Sequence, residues 1–197
     1  MSRATRYLMM IAAVAVVAVV GVFFYLSRYP GSYDAVLVVA LLFFVPGRIS
    51  SAFLKDLYRC RRHVDREEYE AAIECGERFL ATLRKQPWRA RLIYLTWSLY
   101  TWNVEAMTRN NIGAAEMMRG RFAAAREQFN AALALDSGYA LPYANLAIVA
   151  AVEGDHTESE RLMALARRNG YAEKAVDRLV ARVGAAYAGV QGRPLNP

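Results

Sequence analysis

Little in this chain can do chemistry. Its 197 residues hold two cysteines and two histidines, too few for a disulfide framework. Cys60 and Cys75 read as free thiols on adjacent helices, near each other, in a reducing compartment. Cys60, His63 and Cys75 supply three possible metal ligands, but the spacing of a four-ligand zinc site is missing, and no metal is expected. There is no glycine-rich phosphate loop, nucleophile elbow or paired-carboxylate motif. Glu67, Glu68 and Glu70 read as a solvated charge run at a helix start, where acids favour the dipole. Nothing here marks an enzyme, and neither a cofactor nor a small-molecule substrate is expected. Lysine is scarce beside arginine and alanine is abundant, a composition that suits a GC-rich bacterial genome.

Charge is missing altogether from Tyr7 to Leu26. That stretch spans roughly 30 Å at about 1.5 Å per residue, the thickness of a bilayer core. A cleaved signal peptide is one alternative, but Ser27-Arg28-Tyr29-Pro30 is a poor cleavage region. A buried soluble helix is another. The reading adopted is a retained transmembrane helix over about 7–27. After the turn Tyr29-Pro30-Gly31-Ser32, Ala35 to Val45 is apolar and meets Pro46-Gly47-Arg48. Continued to Leu54, with Pro46 as a kink and Arg48 snorkelling to the headgroups, residues 33–54 make a second span. A re-entrant or half-buried helix is the alternative. Residues 1–54 are thus predicted to be a membrane anchor, a transmembrane helical hairpin.

The net charge of +7 is unevenly placed. Residues 1–62 carry eight basic and two acidic groups, a net of +6, leaving +1 for the rest. Basic residues cluster before the first span and after the second, so the positive-inside rule places both ends in the cytoplasm of a bacterium, at its inner membrane. Arg48, Lys55, Arg59, Arg61 and Arg62 are expected to meet the membrane surface; a plain topology signal explains them equally well. No basic stripe runs along the remainder, so nucleic acid is not an expected partner.

From Ala106 to Tyr171 the chain repeats at a spacing of 34 residues. Asn111-Ile112-Gly113 recurs as Asn145-Leu146-Ala147, Gly120 as Gly154, Ala125 as Ser159, Phe129 as Met163 and Ala132 as Ala166. Small residues, a glycine turn, then small–large–small at helical spacing describe antiparallel helices packed through their small side chains. This resembles the tetratricopeptide repeat in Gly113, Gly120, Ala125, Phe129 and Ala132. The sequence departs from that pattern at Arg109, where the family favours Trp, and at Ser137, where it favours Pro. The resemblance covers residues 106–173 and implies an all-α binding scaffold. In layout alone, the chain is also similar to membrane-bound repeat proteins of the HemY type.

Upstream, residues 55–105 read as a degenerate repeat plus an aromatic-rich helix. Phe53 to His63 is a basic helix that continues from the second span. Tyr69, Ala72, Ile73, Gly76, Phe79, Leu80 and Leu83 form one face of the next helix. Tyr69 precedes Phe122 by 53 residues rather than 34. The excess holds Leu92 to Trp102, read as a helix with Leu92, Leu95, Leu99 and Trp102 on one face and Ile93, Trp97, Tyr100 and Val104 on another. It either runs unbroken from Trp88 to Met118 or breaks near Asn110-Asn111. A strand is the alternative. Trp88, Trp97 and Trp102 belong either to the core or to a membrane or partner surface. Residues 174–188 form a capping helix with Ala175, Leu179, Val180 and Val183 inward, and 189–197 a flexible tail.

By the resemblance, the first helix of each repeat lines a partner-binding groove. Its set is Met107, Asn110, Ala114, Met117, Met118, Leu141, Ala144, Asn145, Ile148, Ala151 and Val152. Only Asn110, Asn111 and Asn145 are polar there, with no cation, which points to an apolar or helical segment of another protein rather than to a carboxylate tail. The alternative packs part of this set under the capping helix. His156 stands at the position of Phe122 and is expected to pack. The function expected is a membrane-anchored protein–protein interaction scaffold or adaptor. One rival is a structural subunit of a membrane complex, whose spans make the main contacts through Ala12, Ala13, Ala15, Ala18 and Gly21; the other is a periplasmic scaffold with reversed or signal-peptide topology.

Overall fold

Every regular element is helical. The computed structural model describes residues 3–29, 34, 37, 48, 52–95, 101–172 and 176–191, and no strand occurs among them. In chain order the α-helices are α1 (Arg3–Arg28), α2 (Lys55–Asp65), α3 (Tyr69–Lys85), α4 (Val104–Met118), α5 (Phe122–Leu135), α6 (Ala140–Glu153), α7 (His156–Arg168) and α8 (Val176–Gln191), with a 3-10 helix at Pro87–Leu95 between α3 and α4.

Helix α1 contains the uncharged run. Val17, Phe23 and Phe24 are 69–71% exposed, and α1 touches no other described helix. Among the described residues, no helix is long and apolar enough to cross a membrane. The expected second span over 33–54 lies almost wholly outside the described residues. Its end is described: Leu54 sits in a bend, so α2 starts afresh instead of continuing a span.

Three helical hairpins follow, and their turns share one geometry. Glu67, Gly120 and Gly154 have positive φ of 64°, 71° and 87°. At each, the next amide bonds the carbonyl five residues back: Glu68 N to His63 O, Arg121 N to Glu116 O and Asp155 N to Ala150 O, all 2.9 Å. This left-handed cap satisfies the last carbonyls of one helix and starts the next. The same pattern ends α7 at Gly170. The α2–α3 pair is therefore built like the two pairs that the 34-residue period marks.

Small residues let the hairpins close. A Cβ on Gly76 would lie 2.6 Å from Ile112 Cγ1. Helix α4 is sandwiched as a result. On one side Ile112 and Val104 join Leu54, Leu57, Phe79, Leu80, Leu83 and Ile93. On the other, Met117 and Met118 join Phe122, Phe129, Ile148, Met163 and Val183. Phe129 is fully buried, and truncation of such a residue to Ala costs about 3–5 kcal/mol.

The aromatic-rich segment departs from expectation. Trp88 lies in a 3-10 helix, Pro87–Leu95, rather than an α-helix, and residues 96–100 lie outside the described residues. The expected helix from Trp88 to Met118 is interrupted, and not at Asn110-Asn111. Asn103 starts α4 by accepting a hydrogen bond from Ala106 N at 3.0 Å. Thr101 Oγ1 accepts from Asn103 N and donates to Asp136 at 2.6 Å. These local side-chain bonds compete with helix continuation. Ile93 and Val104 are core, Leu92 packs beside it, Trp102 is half-buried and Trp88 is exposed. The capping helix α8 is also longer than expected: Gly189 to Gln191, read as tail, are helical.

Candidate binding cleft

A cavity of about 380 Å³ opens where α2, α4, α6 and α8 converge. Of the eleven groove residues predicted, Asn110, Ala114, Met117, Met118, Leu141 and Asn145 line it. Arg61, Val64 and Asp65 of α2 complete one wall, and Tyr171, Leu179 and Arg182 another. The other five predicted residues lie elsewhere. Ala144 and Ile148 are 1% exposed and belong to the core. Met107 packs against the α2–α3 core, and Val152 faces Gly184 of α8. Ala151 and Ile148 line a second cavity, about 450 Å³, with His156, Met163 and Val180. His156 is itself exposed, so it does not pack as Phe122 does; Phe122 instead stacks on Tyr187 at 4.3 Å between ring centroids.

The cleft is less apolar than the sequence suggested. Two arginines border it, both delivered by elements outside the two clear repeats. Arg61 reaches Asp65 at 3.0 Å and Arg182 reaches Glu67 at 3.4 Å. Both pairs are more than half exposed, so each contributes little to stability. Arg61 was expected at the membrane surface; it lines the cleft. Lys55, Arg59 and Arg62 are exposed, with Arg59 beside Asp56 at 3.4 Å, and Arg48 is exposed. Arg61 and Arg182 went unassigned to the groove because long-range packing of α2 and α8 against α4 brings them there, and no local pattern announces that.

The asparagines of the repeat have a specific job. Asn145 Nδ2 donates to Asn110 Oδ1 at 3.0 Å. Asn111, its counterpart 34 residues earlier, lines the same cavity. Asn145 therefore reaches back to the first helix of the preceding hairpin. Asn110 is 3% exposed, and its Nδ2 has no hydrogen-bond partner among the described residues while lining the cavity. Cys60 donates to Ala72 O at 3.3 Å and Cys75 to Asp56 O at 3.4 Å. Burial, and then the neighbouring Cys75, push the Cys60 thiol up to about 12, which leaves it neutral and unreactive at ordinary pH. Burial also raises Cys75. The charged groups of the cleft wall are ion-paired, Arg61 with Asp65 and Arg182 with Glu67. Among the described residues no cluster of three His, Cys, Asp or Glu side chains is arranged to hold a metal ion.

No protein-family model, curated protein or solved structure matches the chain.

Proposed function

We propose that this protein is a non-enzymatic scaffold of the tetratricopeptide type, anchored to the bacterial inner membrane, that holds a segment of another protein in the cleft between α2, α4, α6 and α8. The observation that carries the reading is Asn110: a nearly buried amide with one end fixed by Asn145 and its donor end open to a cavity. Its amide donor can pass from cavity solvent to an acceptor on an incoming segment, at little net cost. Around it, Met117, Met118, Leu141 and Leu179 offer apolar contact, while Arg61 and Arg182 stand at the rim. The matching ligand is a short helical or extended segment with an apolar side chain and a carbonyl or carboxylate oxygen. A volume of about 380 Å³ is at the small end of ligand sites, enough for a few side chains. The three like turns and the 34-residue period support the repeat assignment.

Anchoring rests on the uncharged run Tyr7 to Leu26 in the sequence, with Val17, Phe23 and Phe24 of that run exposed on α1. A second span over 33–54 and cytoplasmic repeats are part of the proposal, on the charge asymmetry alone. The bare surface of α1 also favours a second reading, a membrane-complex subunit that uses its spans for contact.

Photocrosslinkers at Leu141 and Leu179, with Glu127 on the outer face as control, test the cleft in native membranes. A discrete adduct from the two cleft positions, weakened by Asn110→Ala, is expected. Adducts from positions in α1 and none from the cleft would favour the second reading. Reporter fusions at residue 31 and after residue 197 test topology; an exported C-terminal reporter would overturn the cytoplasmic assignment.

A further inference from the structure

We infer that Phe53, Trp88 and Arg89 form a docking site for an anionic phospholipid surface, seating the helical domain on the bilayer beside its anchor; this rests on the membrane-anchored reading above. Phe53 and Trp88 are large aromatics left 37% and 48% exposed. They meet edge to face with ring centroids 5.3 Å apart, although 35 residues separate them in sequence. The Arg89 guanidinium lies 5.7 Å from the Phe53 ring and 5.8 Å from the Trp88 ring. Its Nε is buried without a hydrogen-bond partner, and no carboxylate pairs with it among the described residues. By contrast, Arg59 has Asp56 and Arg61 has Asp65. Arg89 is a cation held on two rings and lacking an anion.

The surroundings say which anion. From Phe79 to Val104 the chain contains Arg84, Lys85, Arg89 and Arg91 and no acidic residue. Lys55, Arg84, Lys85 and Arg91 are all exposed. A protein partner of matching charge is conceivable on these grounds alone. Position decides for lipid, because the apolar run Ala35 to Val45 and Arg48 lie just before Phe53 in the chain. Tryptophan at the headgroup level beside arginine is the arrangement favoured at a membrane interface, with the ring in the boundary and the guanidinium on phosphate.

The test uses the full chain reconstituted in phosphatidylcholine vesicles, with and without phosphatidylglycerol, containing lipids brominated near the headgroup. Tryptophan emission is compared for the wild type, Trp88→Phe and Arg89→Gln, with circular dichroism as the check on folding. Bromine quenching that is stronger with phosphatidylglycerol, lost in Trp88→Phe, and no longer lipid-dependent in Arg89→Gln is expected. Equal quenching of wild type and Trp88→Phe in a chain that stays in the vesicles through an alkaline wash overturns the docking site and leaves the anchor standing. Release by the wash, with Trp88 still quenched when vesicles are added, overturns the anchor and keeps the docking site. Trp88 shielded from brominated lipid and from an aqueous quencher alike points to a protein on the patch and also overturns it.

Discussion

A Cβ added to Gly113 would lie 2.7 Å from Cε1 of Phe129, with the Ala125 carbonyl at 3.2 Å. Phe129 is fully buried and α5 backbone stands behind it, so neither neighbour can retreat far. Gly113→Ala should therefore lower stability, with overpacking of about 1–3 kcal/mol offset by about 1 kcal/mol of helix propensity. Gly76→Ala meets Ile112 Cγ1 and Cδ1 at 2.6 and 2.9 Å and Cys60 Sγ at 3.5 Å, side-chain atoms with no backbone among them, and should cost less. Thermal melts of the detergent-solubilised variants give the ranking. A larger loss for Gly76→Ala would show that the α4–α5 contact is not the tighter one.

The turns separate backbone strain from packing. Gly154 has open space around its Cβ direction but a φ of 87°, so Gly154→Ala should cost about 1–2 kcal/mol through conformation alone. Glu67 holds the same kind of turn without being glycine. Glu67→Gly should stabilise the protein by a few tenths up to about 1 kcal/mol, because relief of the left-handed strain exceeds the exposed pair with Arg182. A fall in melting temperature for Glu67→Gly would mean that the Arg182 contact outweighs the turn.

Cys60 should make stability fall at high pH. Its thiol is raised to about 12 in the folded state from 9.0, so the folded protein retains a proton that the unfolded chain has lost. The stabilisation is full below about pH 9 and declines as pH rises towards 12. Against Cys60→Ala, the wild type should lose melting temperature more steeply over that window. Parallel curves would refute the assignment. The same burial predicts that Cys60 resists alkylation in the folded chain at neutral pH and reacts once unfolded.

Tyr187 fastens the capping helix. Its ring stacks on Phe122 with planes 15° apart, a contact adding about 0.5–1.5 kcal/mol beyond its buried area. Tyr187→Ala should speed hydrogen exchange in α8 while α4 to α7 keep their protection, and Tyr187→Phe should restore it. Equal loss of protection in α6 and α7 would show that α8 is one cooperative unit with the repeats.

Much of the helical array was legible because its signals are local. Gly113, Phe129 and Ala125 recur at a fixed period, and glycine turns at Gly120 and Gly154 follow from backbone sterics. The face of α3 through Ala72, Gly76, Phe79, Leu80 and Leu83 was readable from helical spacing, and all five are buried. The aromatic segment was not. Leu92 to Trp102 fits a helical period, but the break at Asn103 depends on the Thr101–Asp136 hydrogen bond across 35 residues. Half of the cleft was equally hidden, since Arg61 and Arg182 are polar positions on their own helices and gain their place only when those helices pack on α4.

The sequence by itself determined that the described chain would be helical, where the glycine turns would fall, and that residues 7–26 would carry no charge. Those features follow from propensity, sterics and composition within a few residues of each other. Tertiary structure decided which members of the predicted groove are buried, that α2–α3 forms a third hairpin of the same type, and that two arginines join three asparagines around one cavity. These depend on which surfaces meet, and burial of apolar area across distant segments sets that choice.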